Sequence, residues 1–281
     1  MKVSEARRLF IEAVSKKREE EIELARAALL FAKELEYPEL DIERYMDAIC
    51  SMAEEVRRYL GGSSDPELVI EKISRYLFFE KGFKGNTRDY YNPKNSFLND
   101  VLDGKLGIPI TLSILYMEIA GRVGLSVSGV GFPGHFLVKC KGRQGEDILI
   151  DPFNEGRVIS ERDCQTLLNR IYRGRLRFRR EFLASATKKQ ILARMLRNLK
   201  LGYINSRNYK KALPVIDLIL IVDPIAVDEL RDRGLIYYAL ECFSQALSDL
   251  ETYISLFPNA SDRDLINHCI KNLKRLVERI N

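Results

Sequence analysis

Apolar residues recur at three- and four-residue spacing through the first 80 positions, so this region reads as a set of helices. Ile22, Ala25, Ala28, Leu29 and Ala32 form one face, and Pro38 ends that helix. Ile42, Tyr45, Met46, Ile49, Met52 and Val56 form a second stripe, stopped by Gly61-Gly62. A third helix opens at Asp65-Pro66, with Asp65 as its expected N-cap, and presents Leu68, Ile70, Ile73 and Leu77. A polar, turn-rich stretch follows at 84–100, in which Ser96 is expected to cap a short helix through Leu102. "LGIPITLSILYMEIAGRVGL" is then apolar nearly all round, which predicts a helix buried in the middle of a domain.

After Gly124 the period falls to two. "SVSGVGF", "HFLVKC" and "DILID" predict strands, and "KGRQG" between the last two predicts an antiparallel hairpin. The last third is helical again and repeats itself. Residues 208–224 and 242–258 superpose at an offset of 34: Tyr209 with Phe243, Ala212 with Ala246, Leu213 with Leu247, Ile216 with Leu250, Pro224 with Pro258. Tyr203 matches Tyr237 upstream. That period resembles the tetratricopeptide helix hairpin, and a final helix at about 262–280 would cap the stack. The expected fold class is α+β. Its parts are a helical region at 1–80, a core at 81–185 with a small antiparallel sheet, and helical repeats at 186–281.

Composition narrows the function classes. The five cysteines, 50, 140, 164, 242 and 269, are scattered and odd in number, with no CxxC pair, so reduced thiols in a cytoplasmic protein are expected. No metal spacing, phosphate loop or dinucleotide fingerprint is present, so no metal and no cofactor is expected. No signal peptide or membrane span is expected either. Charge is uneven. Residues 162–200 carry twelve Lys or Arg against two acids, while the whole chain is only +5. The stretch reads as a solvated basic face, although "RGRLRFRRE" keeps nucleic acid as a candidate partner.

His135, one of two histidines, follows Pro133-Gly134, and Asp151 precedes Pro152, so both stand at strand ends. If the hairpin turn centres on Arg143, Lys139 faces Asp147 and His135 faces Asp151. An aspartate there would hold the imidazole by one nitrogen and fix its tautomer.

A central helix, a strand carrying His and a strand ending in Asp-Pro follow the order of the transglutaminase-like, papain-related core. More closely, the chain resembles the SirB-type family, a transglutaminase-like domain followed by tetratricopeptide-like repeats. The stretches that carry the resemblance are "RYLFFEKGFKGNTRDYYNPKNSFLNDVL", "GIPITLSILYMEIAGRVGL", "GVGFPGHFLVK", "ILIDPFN" and "LRNLKLGYINSRNYKKALPVIDLILIVDP". The resemblance implies the fold, the domain order and the pair His135/Asp151.

In active members of that superfamily a cysteine opens the central helix. Here the turn reads Gly107-Ile108-Pro109-Ile110-Thr111-Leu112-Ser113 and has none. Cys140, five residues past His135, falls on the opposite strand face. The hydroxyl candidates are Thr111 and Ser113, and Asn95 and Asn99 are candidates for binding a ligand in the same cleft. Asn92 and Ser96 read as turn and cap residues. The expectation is a catalytically degenerate protein that binds a protein or peptide through its cleft and repeats. The alternative is a hydrolase or acyl-transfer enzyme using His135 and Asp151 with a hydroxyl or water.

Overall fold

A computed structural model describes residues 4–280. The described residues fall into two units that divide at Met195/Leu196, and the helices before residue 80 belong to the same unit as the sheet. The chain is α+β, as its periodicities predict.

In the first unit, α1 is Glu5–Val14, α2 Leu24–Leu35, α3 Ile42–Leu60 and α4 Pro66–Ser74. Every apolar residue named for the first predicted face is fully buried, and α2 is wrapped almost all round. Asp41 caps α3 by accepting the Arg44 amide at 3.1 Å, and Gly61 ends it in the left-handed region (φ 56°). Asp65 stands at the N-cap of α4 with Pro66 in its first turn, as expected, but its side chain makes no capping hydrogen bond and pairs with Arg143 instead. α4 continues into a π-helical turn, Arg75–Glu80, closed by the Lys81 amide on the Tyr76 carbonyl at 2.8 Å. The wider turn buries Tyr76, Leu77 and Phe78 together and leaves Phe79 exposed.

Two-residue strands β1 (Lys84–Gly85) and β2 (Leu106–Gly107) pair in parallel around α5, Leu98–Gly104. Ser96 does not cap α5. It lies buried in the 3-10 turn Pro93–Ser96, and Phe97 precedes the helix without a side-chain cap. Asn92 does the turn's work, its Oδ1 accepting the Lys94 amide at 3.0 Å.

The central helix α6, Pro109–Arg122, is buried along most of its length. It packs on α2, α3, α4 and α5 on one side and on the sheet on the other. That sheet is antiparallel throughout, ordered β3 (Val127–Val130), β4 (Leu137–Lys141), β5 (Asp147–Asp151), β6 (Arg157–Ile159). α7, Glu161–Tyr172, follows, with a Ser160–Asp163 capping box. α8, Lys188–Asn205, contains the division between the units.

The second unit continues with α9 (Tyr209–Val222), α10 (Val227–Ala239), α11 (Phe243–Leu256) and α12 (Arg263–Ile280). The sequence repeat is also a backbone repeat. Arg207 and Glu241, 34 residues apart, both take left-handed conformations (φ 56° and 59°). Asn208 then donates to the Tyr203 carbonyl at 2.8 Å, and Cys242 to that of Tyr237 at 2.9 Å. Ala212 and Ala246, and Ile216 and Leu250, are fully buried equivalents. Gly234 lets two helices approach, since a Cβ there would lie 2.8 Å from Leu250. Buried Lys200 is answered by Glu229 at 2.7 Å and Asp232 at 2.6 Å, and Arg197 adds a second cation on Glu229 at 2.9 Å.

Candidate functional site

The hairpin register differs from the expected one. Val138 faces Ile150, Lys139 faces Leu149 and Lys141 faces Asp147, so the turn centres on Gln144 and not on Arg143. The cause is the loop itself. The Gly142 amide reaches the Glu146 carbonyl at 2.9 Å, and Gly145 takes φ 84°, a conformation that glycine alone adopts without strain. The displacement is two residues. Side chains alternate with a period of two, so His135 and Asp151 keep a common face and meet diagonally instead of directly opposed.

They do meet. His135 Nε2 lies 2.9 Å from Asp151 Oδ1, and both residues are buried. His135 closes the turn that begins at Phe132, donating its amide to the Phe132 carbonyl at 3.0 Å. Asp151 ends β5 and caps the 3-10 turn Pro152–Asn154. Its Oδ1 accepts the amides of Phe153 at 3.1 Å and Asn154 at 3.3 Å, and its Oδ2 accepts Asn154 Nδ2 at 2.7 Å. Burial pushes the Asp151 carboxyl up, but the hydrogen bond and charge of His135, with the Asn154 donors, outweigh it and hold the group below the usual carboxylate range. An anionic acceptor at Nε2 places the ring proton there in the neutral imidazole. Nδ1 then carries a lone pair and has no protein hydrogen-bond partner among the described residues.

Residues that no motif singled out complete the surroundings. The Phe153 ring meets the imidazole edge-on, centroids 5.8 Å apart, and Tyr90 meets Phe153 at 6.2 Å. Gly85 makes room for Phe153, since a Cβ there would stand 2.6 Å from the ring. Arg194 of α8 donates through Nη2 to the carbonyls of Phe132 (3.1 Å) and His135 (2.5 Å) and lies over the Phe136 ring. Asn154 is readable as the fourth residue of a turn that begins at Asp151. Arg194, nearly sixty positions from His135, left no local signal.

Neither hydroxyl candidate is hydrogen-bonded to His135 among the described residues. Thr111 Oγ1 accepts the Ile108 amide at 3.1 Å and faces the carbonyls of Asn95 (3.0 Å) and Ile108 (3.1 Å). It ties the start of α6 to the preceding loop, and Gly107 leaves it space. Ser113 is fully buried, and its hydroxyl has no hydrogen-bond partner among the described residues. Asn95 spends its side chain on the loop, donating to the carbonyls of Asp89 (2.7 Å) and Tyr90 (3.1 Å) and accepting from Asn86 (3.0 Å). Asn99 is buried in α5, with Oδ1 unpartnered among the described residues. Cys140 and Cys164 are buried, and burial pushes each thiol up to about 11, away from the reactive thiolate.

A model of the transglutaminase-like superfamily matches residues 43–197. The chain belongs to that superfamily. A tetratricopeptide-repeat model matches residues 199–271. The chain is 36% identical over 265 residues to a UPF0162 protein of Xylella fastidiosa, covering 93% of both. It is 28% identical over 240 residues to Protein SirB1 of Salmonella typhimurium, covering 85% of this chain and 87% of that protein. F-box only protein 21 of Homo sapiens is also similar, 28% identical over 232 residues, which are 75% of this chain but 36% of that protein. Domain order and relatives together make this a SirB-type member of the superfamily. No helix among the described residues is long and apolar enough to cross a membrane.

Proposed function

We propose that this is a catalytically degenerate transglutaminase-like protein that works by binding. Its cleft at His135 recognises a ligand group, and its repeats engage a protein or peptide partner in the cytoplasm. The observation that carries the reading is the state of α6. Its first turn holds no thiol, the Thr111 hydroxyl bonds backbone groups, and Ser113 is fully buried with no bond to His135. A hydroxyl nucleophile needs a base within hydrogen-bond reach, and among the described residues neither Thr111 nor Ser113 is hydrogen-bonded to His135. The His135–Asp151 pair then serves recognition, with Nδ1 as an acceptor for an N–H or O–H of the ligand, as a side-chain amide would supply. Five free cysteines support the cytoplasmic setting.

The test is to titrate glutaminyl peptides against the full chain, with the His135 ring nitrogens followed by NMR and ammonia release assayed in parallel. Binding that moves the Nδ1 resonance without turnover is expected. Turnover lost in His135→Gln would overturn the reading. The second reading, hydrolysis by a water that His135 activates, draws on the anionic Asp151 and the unpartnered Nδ1. It requires turnover that survives Thr111→Ser and Ser113→Ala.

A further inference from the structure

Six exposed arginines crowd the surface between Arg170 and Arg180: Arg170, Arg173, Arg175, Arg177, Arg179 and Arg180. Among the described residues only Arg180 of these forms an ion pair, with Glu161 at 3.0 Å. So many uncompensated cations repel one another, and a merely solvated segment would relieve that by moving. This one is pinned. Leu176 and Phe178, which alternate with the arginines, turn inward and pack with Phe182 and Leu183 on the cluster around Val130, Phe132 and Leu168. Gln165 of α7 holds the backbone, accepting the Phe178 amide at 2.8 Å and donating to the Leu176 carbonyl at 3.4 Å. The guanidinium groups are therefore carried on a fixed support, which lowers the ordering cost of binding an anion.

The patch adjoins the turn that carries His135. Ile171 and Tyr172, between the first two arginines, press on Gly134, the residue before His135. A Cβ there would stand 2.8 Å from Ile171 and 3.4 Å from the Tyr172 hydroxyl. On the other side of that turn Arg194 also lacks a carboxylate partner among the described residues.

Resting on the cleft reading above, we propose that the cleft's partner is an acidic polypeptide whose carboxylates lie on Arg175, Arg177 and Arg179 while its next segment passes Gly134 to reach His135. Planar guanidinium forks take carboxylates bidentately. Carboxylates are favoured over single-stranded nucleic acid because Phe178 and Phe182 are half-buried against the core and Arg179 lies over the Phe182 ring, which leaves these rings partly engaged and less open to stacking bases.

The experiment measures fluorescence anisotropy of labelled poly-L-glutamate, an oligouridylate and phosphatidylserine vesicles with the full chain. It compares the native sequence, Arg175→Glu/Arg177→Glu/Arg179→Glu, the matching triple Gln variant, and His135→Gln. Saturable poly-L-glutamate binding that falls as salt rises is expected, weakened about tenfold or more by either triple variant. His135→Gln, which removes the cleft acceptor and leaves the arginines, should keep the salt dependence and weaken binding less than either triple variant does. Absence of saturable binding, indifference to both triple variants, or tighter binding to RNA or vesicles would overturn the inference. The cleft reading fails separately, on turnover.

Discussion

The His135 imidazole donates from Nε2 to the Asp151 carboxylate at 2.9 Å, while three further donors from Phe153 and Asn154 hold that carboxylate from behind. One aspartate thus orients the ring and closes the turn after β5. The chain has only two histidines, His135 and His268, so ring-nitrogen NMR has two sets of signals to assign. At a pH where the rings are neutral, His135 should show a protonated Nε2 and an unprotonated Nδ1. The opposite tautomer would refute the arrangement.

Asp151 also sets an acid limit. Its carboxyl sits below the usual range in the fold, so the charged form is the one that folding favours. That contribution is complete above the unfolded value of about 3.9 and is lost as pH falls through the lower folded value. Asp151→Asn should cost about 1–3 kcal/mol at neutral pH and flatten the loss of stability below about pH 4. Urea unfolding across pH checks both.

Thr111→Val should destabilise by about 1–3 kcal/mol, because the Ile108 amide loses its acceptor inside the fold. Thr111→Ser should restore most of it. Ser113→Ala should be neutral or stabilising by up to about 1 kcal/mol, since the hydroxyl it removes is buried without a protein partner. A destabilisation beyond about 2 kcal/mol from Ser113→Ala would count against that placement.

Gly85→Ala should disturb the site without touching either site residue. The added methyl meets Phe153, and Phe153 is the ring against His135. A cost of about 1–3 kcal/mol and a displaced His135 ring resonance are expected. An unmoved resonance would mean that the aromatic contact does not transmit the change.

Lys200→Ala should cost about 3 kcal/mol, near the low end for breaking a buried pair, because Arg197 still answers Glu229. Thermal unfolding would show it.

What the sequence revealed followed the reach of each signal. Periodicity located α2 and α3 with their apolar faces residue by residue, and α6 as a helix apolar nearly all round. The His–Asp pairing was legible through strand parity even though the assumed turn centre was wrong, because a slip of two preserves the face. Asp65 holds the N-cap position its sequence indicates while its carboxylate pairs with Arg143, whereas Ser96 misled because it is drawn into the turn before α5. β1, β2 and β6 are two or three residues long and exist only where another segment pairs with them, which no local pattern encodes. Arg194 and Phe153 reach the site by tertiary packing.

The left-handed residues Arg207 and Glu241 have a consequence for how this chain can change in length. They open identical junctions, so a segment running from one to the next begins and ends on the same backbone geometry. Duplicating residues 207–240 would join like to like and keep the buried ion pairs of α8, whereas deleting them would take Glu229 and Asp232 from buried Lys200. Any other length would force a new junction. The backbone of the second unit is therefore extendable in steps of one whole repeat, while the Lys200 ion pairs tie α8 to the repeat that follows it.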